Sequence, residues 1–279
     1  MTRAIFIGGK TIGLRCLQHL LKARSYEVTG VVVQSTDVLP KEQRWYDSIS
    51  ANLQQVKPDL PLLVSDHVDD AAGCAWIAAQ RPDIIFVVYY DKVLNAHLLR
   101  QAPMGCVNLH FGLAETYRGC FPQTFAVLNG ETETGCTLHF IDQRVDSGPI
   151  IGQVRVPIDA DETSWSLYNK LTNVGAELFA SCLEQPLRFE EARPQQQRHD
   201  LKVYRRRDWP GHEIPVEGRS VGEILRFIRA LTFPPFPPPF FRIGRRKFLV
   251  IEASDEASSS EKNQRDVQAV ANETPAQAR

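Results

Sequence analysis

Short apolar runs alternate along most of the chain with segments whose apolar residues recur at helical spacing. The apolar runs are residues 4–7, 28–33, 62–64, 84–88 and 105–109, and the helical segments are residues 12–23, 74–80, 123–128 and 164–183. Strands that alternate with helices are typical of a parallel sheet covered on both faces. Two further extended segments, 134–141 and 152–157, are predicted near the sheet edge. We therefore expect an α/β fold built on a Rossmann-like, doubly wound sheet.

The character of the sequence changes after residue 186, where a polar stretch with a glutamine run begins. An amphipathic helix is predicted at Val221–Leu231, followed by a proline-rich strap at 233–241 and a hairpin at 243–251. The residues beyond 252 are polar and contain no aromatic side chain, so they cannot bury an apolar face. The predicted units are an N-terminal catalytic domain at 1–186, a small C-terminal α+β region at 187–252 and a disordered tail at 253–279.

Charge and cysteine usage narrow the class of protein. The formal net charge is −1, which gives no broad electrostatic surface for nucleic acid. No apolar run approaches the length of a membrane span, and the N-terminus has no signal-peptide pattern. The six cysteines show no paired spacing for zinc, which favours reduced thiols in a cytoplasmic protein. We expect no bound metal.

A candidate catalytic set follows the fifth apolar run. Asn108 and His110 lie two residues apart and therefore point to the same face of a strand, and Asp146 follows in the turn-like stretch Asp146-Ser147-Gly148-Pro149. An amide can stabilise an oxyanion, an imidazole can move a proton, and a carboxylate can orient the imidazole. A lone histidine at a strand end is otherwise more often structural.

The stretch from 107 to 151 resembles the catalytic segment of the 10-formyltetrahydrofolate-dependent formyltransferases. The matching motifs are Asn108-x-His110, Tyr117-Arg118-Gly119, residues 129–135 and Asp146-x-Gly148-Pro149-Ile150. Many members carry Ser-Leu-Leu-Pro after the histidine, whereas this chain has Phe111-Gly112-Leu113-Ala114. The Phe-Gly pair after the histidine resembles the sugar N-formyltransferase branch. Residues 227–236 also resemble the C-terminal element of those sugar enzymes.

The resemblance implies two sets of binding residues. For 10-formyltetrahydrofolate, the loop after the fourth strand would hold the pterin largely through backbone groups, although Asp91 replaces the commoner glycine. The residues assigned to this co-substrate are Tyr90, Asp91, Val93, Ile141 and Val145. The residues assigned to the second substrate are Gly8, Gly9, Lys10, Phe111, Tyr117, Arg118, Gly119 and Phe236.

Several of these assignments leave alternatives open. The turn at Gly8-Gly9-Lys10 is either a tight strand–helix connection or a contact for a sugar or diphosphate, and it lacks the spacing of a dinucleotide fingerprint. Arg118 suits either structural anchoring or ligand contact. Phe236 either stacks on a nucleotide base or belongs to a rigid strap that closes the C-terminal region.

The resemblance implies formyl transfer to the amine of a nucleotide-linked amino sugar, such as a dTDP-linked 4-amino-4,6-dideoxyhexose, for surface glycan or lipopolysaccharide O-antigen biosynthesis. A homodimer is expected, with no nucleic-acid or membrane partner. The nearest alternative is methionyl-tRNA formyltransferase, whose larger C-terminal domain and basic surface are not evident here. An alternative from another class is a non-catalytic or NAD-dependent nucleotide-binding protein.

Overall fold

The computed structural model describes residues 1–184, 187, 189–195, 201–234 and 236–252. Its strands are β1 (Thr2–Gly8), β2 (Tyr26–Val33), β3 (Leu62–Val64), β4 (Ile84–Val88), β5 (Cys106–His110), β6 (Arg118–Gly119), β7 (Glu133–Phe140), β8 (Ile150–Pro157), β9 (Val203–Tyr204), β10 (Phe240–Ile243) and β11 (Arg246–Leu249). Its helices are α1 (Lys10–Lys22), α2 (Ile49–Val56), α3 (Ala71–Gln80), α4 (Ala96–Leu99), α5 (Pro122–Asn129), α6 (Ser164–Cys182) and α7 (Val221–Leu231).

Seven strands form one central sheet in the order β3-β2-β1-β4-β5-β7-β8. The first five are parallel, and β7 and β8 add to one edge in antiparallel pairing. Gly8, Val88 and Leu109 mark the same height on three neighbouring strands, since Gly8 pairs with Val88 and Val88 with Leu109. The segments that follow β1, β4 and β5 therefore meet at the carboxyl ends of the parallel strands. Ligands of open α/β sheets bind at this end of the sheet.

Both faces of the sheet are buried, which confirms the doubly wound α/β prediction. Phe6 and Phe86 belong to a core on the side of α1 and α6, whereas Ile5 and Ile85 belong to a second core on the side of α3 and α4. The alternation follows from the two-residue period of a strand. Strands buried on both faces read as continuous apolar runs rather than alternating ones.

Helix α2 is absent from the sequence-based prediction. Its core contacts come from Ile49 and Leu53. Two apolar residues in a polar stretch are too few to give a recognisable helical pattern. The buried carboxylate of Asp37 stabilises its first turn by accepting hydrogen bonds from the backbone N–H groups of Ile49 and Ser50. Ser48 caps the helix through a bond from the Ala51 N–H.

The small C-terminal region is built from short pieces. Helix α7 begins at a capping box formed by Ser220 and Glu223. The hairpin β10–β11 turns at Gly244 as predicted, but it starts at Phe240, so the strap ends earlier than expected. Strand β9 pairs with β6 and so connects this region to the N-terminal domain. The predicted tail at 253–279 lies outside the described residues.

Candidate active site

Asn108 and His110 lie at the carboxyl end of β5, the end of the sheet at which ligands of such folds bind. Both side chains contact the carboxylate of Asp146, so they share one face of the strand as predicted. Gly112 leaves space for the imidazole, because a Cβ at this position would lie 2.7 Å from His110 Nε2. A glycine here is therefore required for the histidine to keep this position.

The Asp146 carboxylate is the centre of the site. Its Oδ1 accepts a hydrogen bond from Asn108 Nδ2 (3.2 Å), and its Oδ2 accepts one from the Gly119 N–H (2.8 Å). His110 Nδ1 lies 3.4 Å from Oδ2, and His139 Nε2 lies 3.4 Å from Oδ1. Asn108 and His110, which the sequence places in one set with Asp146, thus both contact its carboxylate.

The surroundings of Asp146 favour its ionised form. Burial by itself would raise the pKa of this carboxyl, but His110, His139 and the Gly119 N–H outweigh it and hold the pKa well below its usual value. Asp146 is therefore a carboxylate at neutral pH. An ionised group with this many fixed partners can orient an imidazole and stabilise positive charge on it.

His110 is held at both of its ring nitrogens. Its Nε2 lies 2.7 Å from the backbone oxygen of Tyr117, and its Nδ1 faces Asp146. Contacts at both nitrogens fix the orientation of the ring, which a proton-transfer group needs.

His139 is a site residue that the sequence analysis missed. It lies on β7, where it pairs with Asn108 across the antiparallel ladder, and its ring is buried. Its Nδ1 contacts the Phe140 backbone oxygen at 2.8 Å, and its Nε2 lies 3.2 Å from Asn108 Nδ2. The available signal was a histidine within the extended segment 134–141, which is predicted near the sheet edge. The register that brings the two together is not readable from the sequence alone.

The residues assigned to the folate occupy two loops beside this site. Tyr90 accepts a hydrogen bond from the Val68 N–H (3.1 Å), and its ring packs against the second core. The Asp91 carboxylate accepts a bond from Gln34 (2.6 Å) and pairs with Arg206. Val93 is 74% exposed on the same loop. Ile141 and Val145 are half-buried and flank the segment that leads to Asp146.

The turn after β1 presents a partly desolvated cation. Lys10 begins α1 with a left-handed φ of 63°. Its Nζ lies 3.9 Å from the centre of the Tyr46 ring and 5.4 Å from that of Trp45. Burial lowers the pKa of Lys10 to about 8, against the opposing effect of nearby acidic groups. Gly8 allows close packing, since a Cβ there would lie 2.7 Å from the Val88 oxygen.

Three of the residues assigned to the second substrate make contacts within the protein. Phe111 is buried against the rings of Tyr89 and Tyr168. The Tyr117 hydroxyl donates to Glu131 (2.8 Å). The buried Arg118 guanidinium donates through Nε to the Ala114 oxygen (2.9 Å), which favours the anchoring alternative. Direct contact of these three with a substrate stays a prediction.

Gly119 is a fixed element of β6 rather than a flexible turn. Its φ is +87°, and a Cβ at this position would lie 2.0 Å from the backbone oxygen of Tyr204 on β9. Only glycine fits both conditions. The close pairing with β9 aims the Gly119 N–H at Asp146.

Phe236 lies at the exposed end of an aromatic cluster. It is 49% exposed, and its ring centre lies 6.3 Å from that of Trp45 and 5.4 Å from that of Phe233. Phe233 packs against Trp165 and Trp45, which attaches the strap to the N-terminal domain. Phe233 thus closes the strap onto the N-terminal domain, whereas stacking of the half-exposed Phe236 on a base stays a prediction.

Among the described residues, none of the helices combines the length and the apolar character that a membrane span needs. Within the same residues, no group of three or more His, Cys, Asp or Glu side chains is arranged to hold a metal ion.

Comparisons with known proteins place this site in a family. The formyl transferase family matches residues 1–183. An N-formyltransferase from Helicobacter canadensis, solved with folinic acid and dTDP-3-aminofucose, shares 22% identity over 88% of this chain and 85% of its own, with a TM-score of 0.68. A 4-N formyltransferase from Francisella tularensis shares 19% identity over 91% and 98%, with a TM-score of 0.69. A glycinamide ribonucleotide transformylase from Symbiobacterium toebii shares 20% over 66% and 86%, with a TM-score of 0.54. The chain belongs to the formyl transferase family.

Proposed function

We propose that this formyltransferase moves the formyl group of 10-formyltetrahydrofolate to the amine of a nucleotide-linked amino sugar. The observation that carries the proposal is the Asn108–His110–Asp146 set. It is assembled around one ionised carboxylate at the carboxyl end of β5. The set supplies hydrogen-bond donors and a proton acceptor, which are the groups that acyl transfer to an amine needs.

The mechanism follows from what each side chain can do. The sugar amine attacks the formyl carbon while neutral, so a C–N bond forms first and gives a tetrahedral intermediate, from which the C–N10 bond of the donor then breaks. Asn108 Nδ2 donates to the oxygen that is negative in this intermediate. The His110–Asp146 pair takes up the proton that the amine loses. The pair then gives one proton to N10 of the departing tetrahydrofolate, so the protons balance.

The loops beside Asp146 suit the folate. Tyr90, Asp91 and Val93 follow β4, which pairs with β5, and Ile141 and Val145 lie on the β7–β8 connection that carries Asp146. The exposed apolar side chain of Val93 and the half-buried Val145 offer contacts for a flat ring. We propose that these five residues bind the co-substrate, which supplies the transferred carbon.

The turn after β1 and the strap suit a nucleotide-linked sugar. The Lys10 cation and the backbone N–H groups of the first turn of α1, after Gly9, favour an anionic diphosphate. Phe236 offers an exposed ring face for a base. The N-formyltransferase from Helicobacter canadensis and the 4-N formyltransferase from Francisella tularensis also align with about nine-tenths of this chain, whereas the glycinamide ribonucleotide transformylase aligns with two thirds.

The function is tested by offering the enzyme a panel of acceptors together with 10-formyltetrahydrofolate. The panel contains dTDP- and UDP-linked amino sugars, methionyl-tRNA and glycinamide ribonucleotide, and mass spectrometry follows the gain of one formyl group. We expect formylation of one or more nucleotide-linked amino sugars and of neither other acceptor. Formylation of methionyl-tRNA alone would replace the proposal with that alternative.

Replacement of Phe236 tests the nucleotide site. A base stacked on an aromatic ring contributes about 1–3 kcal/mol, so Phe236→Ala should weaken nucleotide-sugar binding by about 5- to 150-fold. Affinity for the folate should stay similar, because Phe236 lies on the strap and the residues assigned to the folate lie on the loops after β4 and β7. Separate calorimetric titrations of the two substrates measure both. Phe248→Ala, which removes a ring from the β10–β11 hairpin, is the matched control. Unchanged sugar binding in Phe236→Ala would show that the strap only closes the C-terminal region and does not bind the nucleotide.

We further propose a cytoplasmic homodimer that serves surface glycan biosynthesis. Ile243 and Ile251, on and just after the β10–β11 hairpin, are 64% and 60% exposed, and apolar surface of this kind usually has a partner. Light scattering of the wild type and of Ile243→Asp distinguishes a dimer formed through the hairpin from a monomer. All six cysteines are unpaired, as suits a reducing compartment.

A further inference from the structure

The turn that carries Asp146 adopts a conformation that needs support. Asp146 has a φ of +48°, in the left-handed region that costs a non-glycine residue about 1–2 kcal/mol. Gly148, two residues later, is pressed against the chain, since a Cβ there would lie 1.8 Å from the Phe140 backbone oxygen. A strained conformation persists only where surrounding contacts impose it.

Those contacts include a buried glutamine from beyond the part of the chain matched by the formyl transferase family. Gln195 Nε2 donates to the backbone oxygen of Gly148 (2.7 Å) and to that of Asp146 (3.3 Å). Its Oε1 accepts a hydrogen bond from the Arg118 guanidinium (3.0 Å). The residue is only 6% exposed, and both ends of its amide are used. An amide is required, because one end must donate while the other accepts.

A short bridge brings Gln195 to this position. Arg193 exchanges two backbone hydrogen bonds with Ile150 at the start of β8, at 2.7 and 2.8 Å. Its side chain also pairs with Glu115 at 2.7 Å. The segment is therefore attached to the strand that directly follows the Asp146 turn, and it is not a solvated linker.

Gln195 completes a ring of contacts around the catalytic carboxylate. Gln195 accepts a hydrogen bond from Arg118, and the next residue, Gly119, donates its N–H to Asp146 Oδ2 at 2.8 Å. The backbone oxygen of Asp146 accepts a hydrogen bond from Gln195, which closes the ring. The ring fixes both the backbone of Asp146 and the direction of its carboxylate. Removal of one member leaves buried polar groups without partners, which costs more than one exposed hydrogen bond.

We infer that Gln195 is a positioning residue that holds the Asp146 carboxylate in line with His110. It contacts no reacting atom and acts through the Asp146–Gly148 backbone and through Arg118. This inference rests on the proposed formyl transfer only for its kinetic consequence. Its structural part concerns Asp146 alone.

Gln195→Ala and Gln195→Glu test the inference in the full-length enzyme. The alanine variant should lower kcat by about 5- to 150-fold, with KM for both substrates changed little. The glutamate variant keeps the volume and can still accept from Arg118, but it cannot donate to Gly148 and Asp146, so it should be at least as slow. Gln54→Ala, on the exposed side of α2, is the control and should match the wild type.

The pH dependence separates positioning from a general loss of structure. The groups that face the Asp146 carboxylate are His110 on β5, His139 on β7, and Arg118 and Cys120 at and beside β6. Looser contacts raise the pKa of Asp146, so the acidic limb of the kcat profile should move to higher pH in Gln195→Ala. Wild-type kcat, or a loss of activity with an unmoved profile, would overturn the inference.

A substrate-free measurement keeps the two proposals distinct. Because the pKa of Asp146 is lower in the folded than in the unfolded protein, its contribution to stability is present above pH 3.8 and is lost as the pH falls through the folded value. The thermal unfolding midpoint should therefore fall less between about pH 4.5 and 2 in Gln195→Ala than in the wild type, towards the behaviour of Asp146→Asn. A flattened curve in a protein that formylates no amino sugar would retain the positioning role and reject the proposed function. A curve as steep as the wild type's would reject the positioning role.

Discussion

His110→Asn and Asp146→Asn should each lower turnover by about a hundredfold or more, because general acid–base groups contribute roughly 10²–10⁴ to rate. His110→Asn removes the ring that lies between the Tyr117 oxygen and Asp146. Asp146→Asn removes the negative charge that faces the His110 ring, and it introduces an N–H donor where Asn108 and Gly119 already donate. Steady-state kinetics with saturating 10-formyltetrahydrofolate measures the effect.

Substrate affinity should change less than turnover in both variants, since the two groups act mainly in the transition state. His19→Asn and Asp59→Asn, at exposed positions outside the site, are the matched controls and should behave like the wild type. Near-normal turnover in either site variant would show that the chemistry lies elsewhere. A KM increase with unchanged kcat would assign the residue to binding instead.

The fold was predictable because its strongest signals are local. Strands buried on both faces read as continuous apolar runs, and α1, α3, α5 and α6 all lie within three residues of their predicted bounds. Helix α2 was not predicted because only Ile49 and Leu53 give it apolar core contacts. Its N-terminus is stabilised by the carboxylate of Asp37, which lies twelve residues earlier in the sequence. Contacts of that kind depend on the tertiary structure.

The site was predictable only in part, for a related reason. Asn108, His110 and Asp146 are marked by spacing and motif, but His139 enters through the register of β5 and β7. Gln195 belongs to a glutamine run that looks like a linker, and only the bridge between Arg193 and Ile150 turns it inward. Residue type also cannot distinguish a buried arginine that anchors a loop from one that binds a phosphate.

The second large effect concerns Gly119, where the C-terminal region meets the catalytic carboxylate. In Gly119→Ala the new Cβ would lie 2.0 Å from the Tyr204 oxygen, and the residue would keep a φ near +87° only under strain. Strain of about 1–2 kcal/mol and overpacking of about 1–3 kcal/mol together predict a loss of about 2–5 kcal/mol in the free energy of unfolding. Separation of β6 from β9 would also turn the Gly119 N–H away from Asp146, so turnover should fall at least tenfold.

Gly211→Ala is the matched control for this prediction. Gly211 has a similar φ of +78°, but nothing lies within 4 Å of the Cβ it would gain. It should lose only the strain contribution of about 1–2 kcal/mol and keep its activity. Urea denaturation of both variants, combined with turnover, separates the backbone cost from the clash with Tyr204. Equal losses of stability with equal activity would mean that the contact between β6 and β9 neither excludes a methyl group nor aims the Gly119 N–H, and that the C-terminal region does not shape the site through this strand.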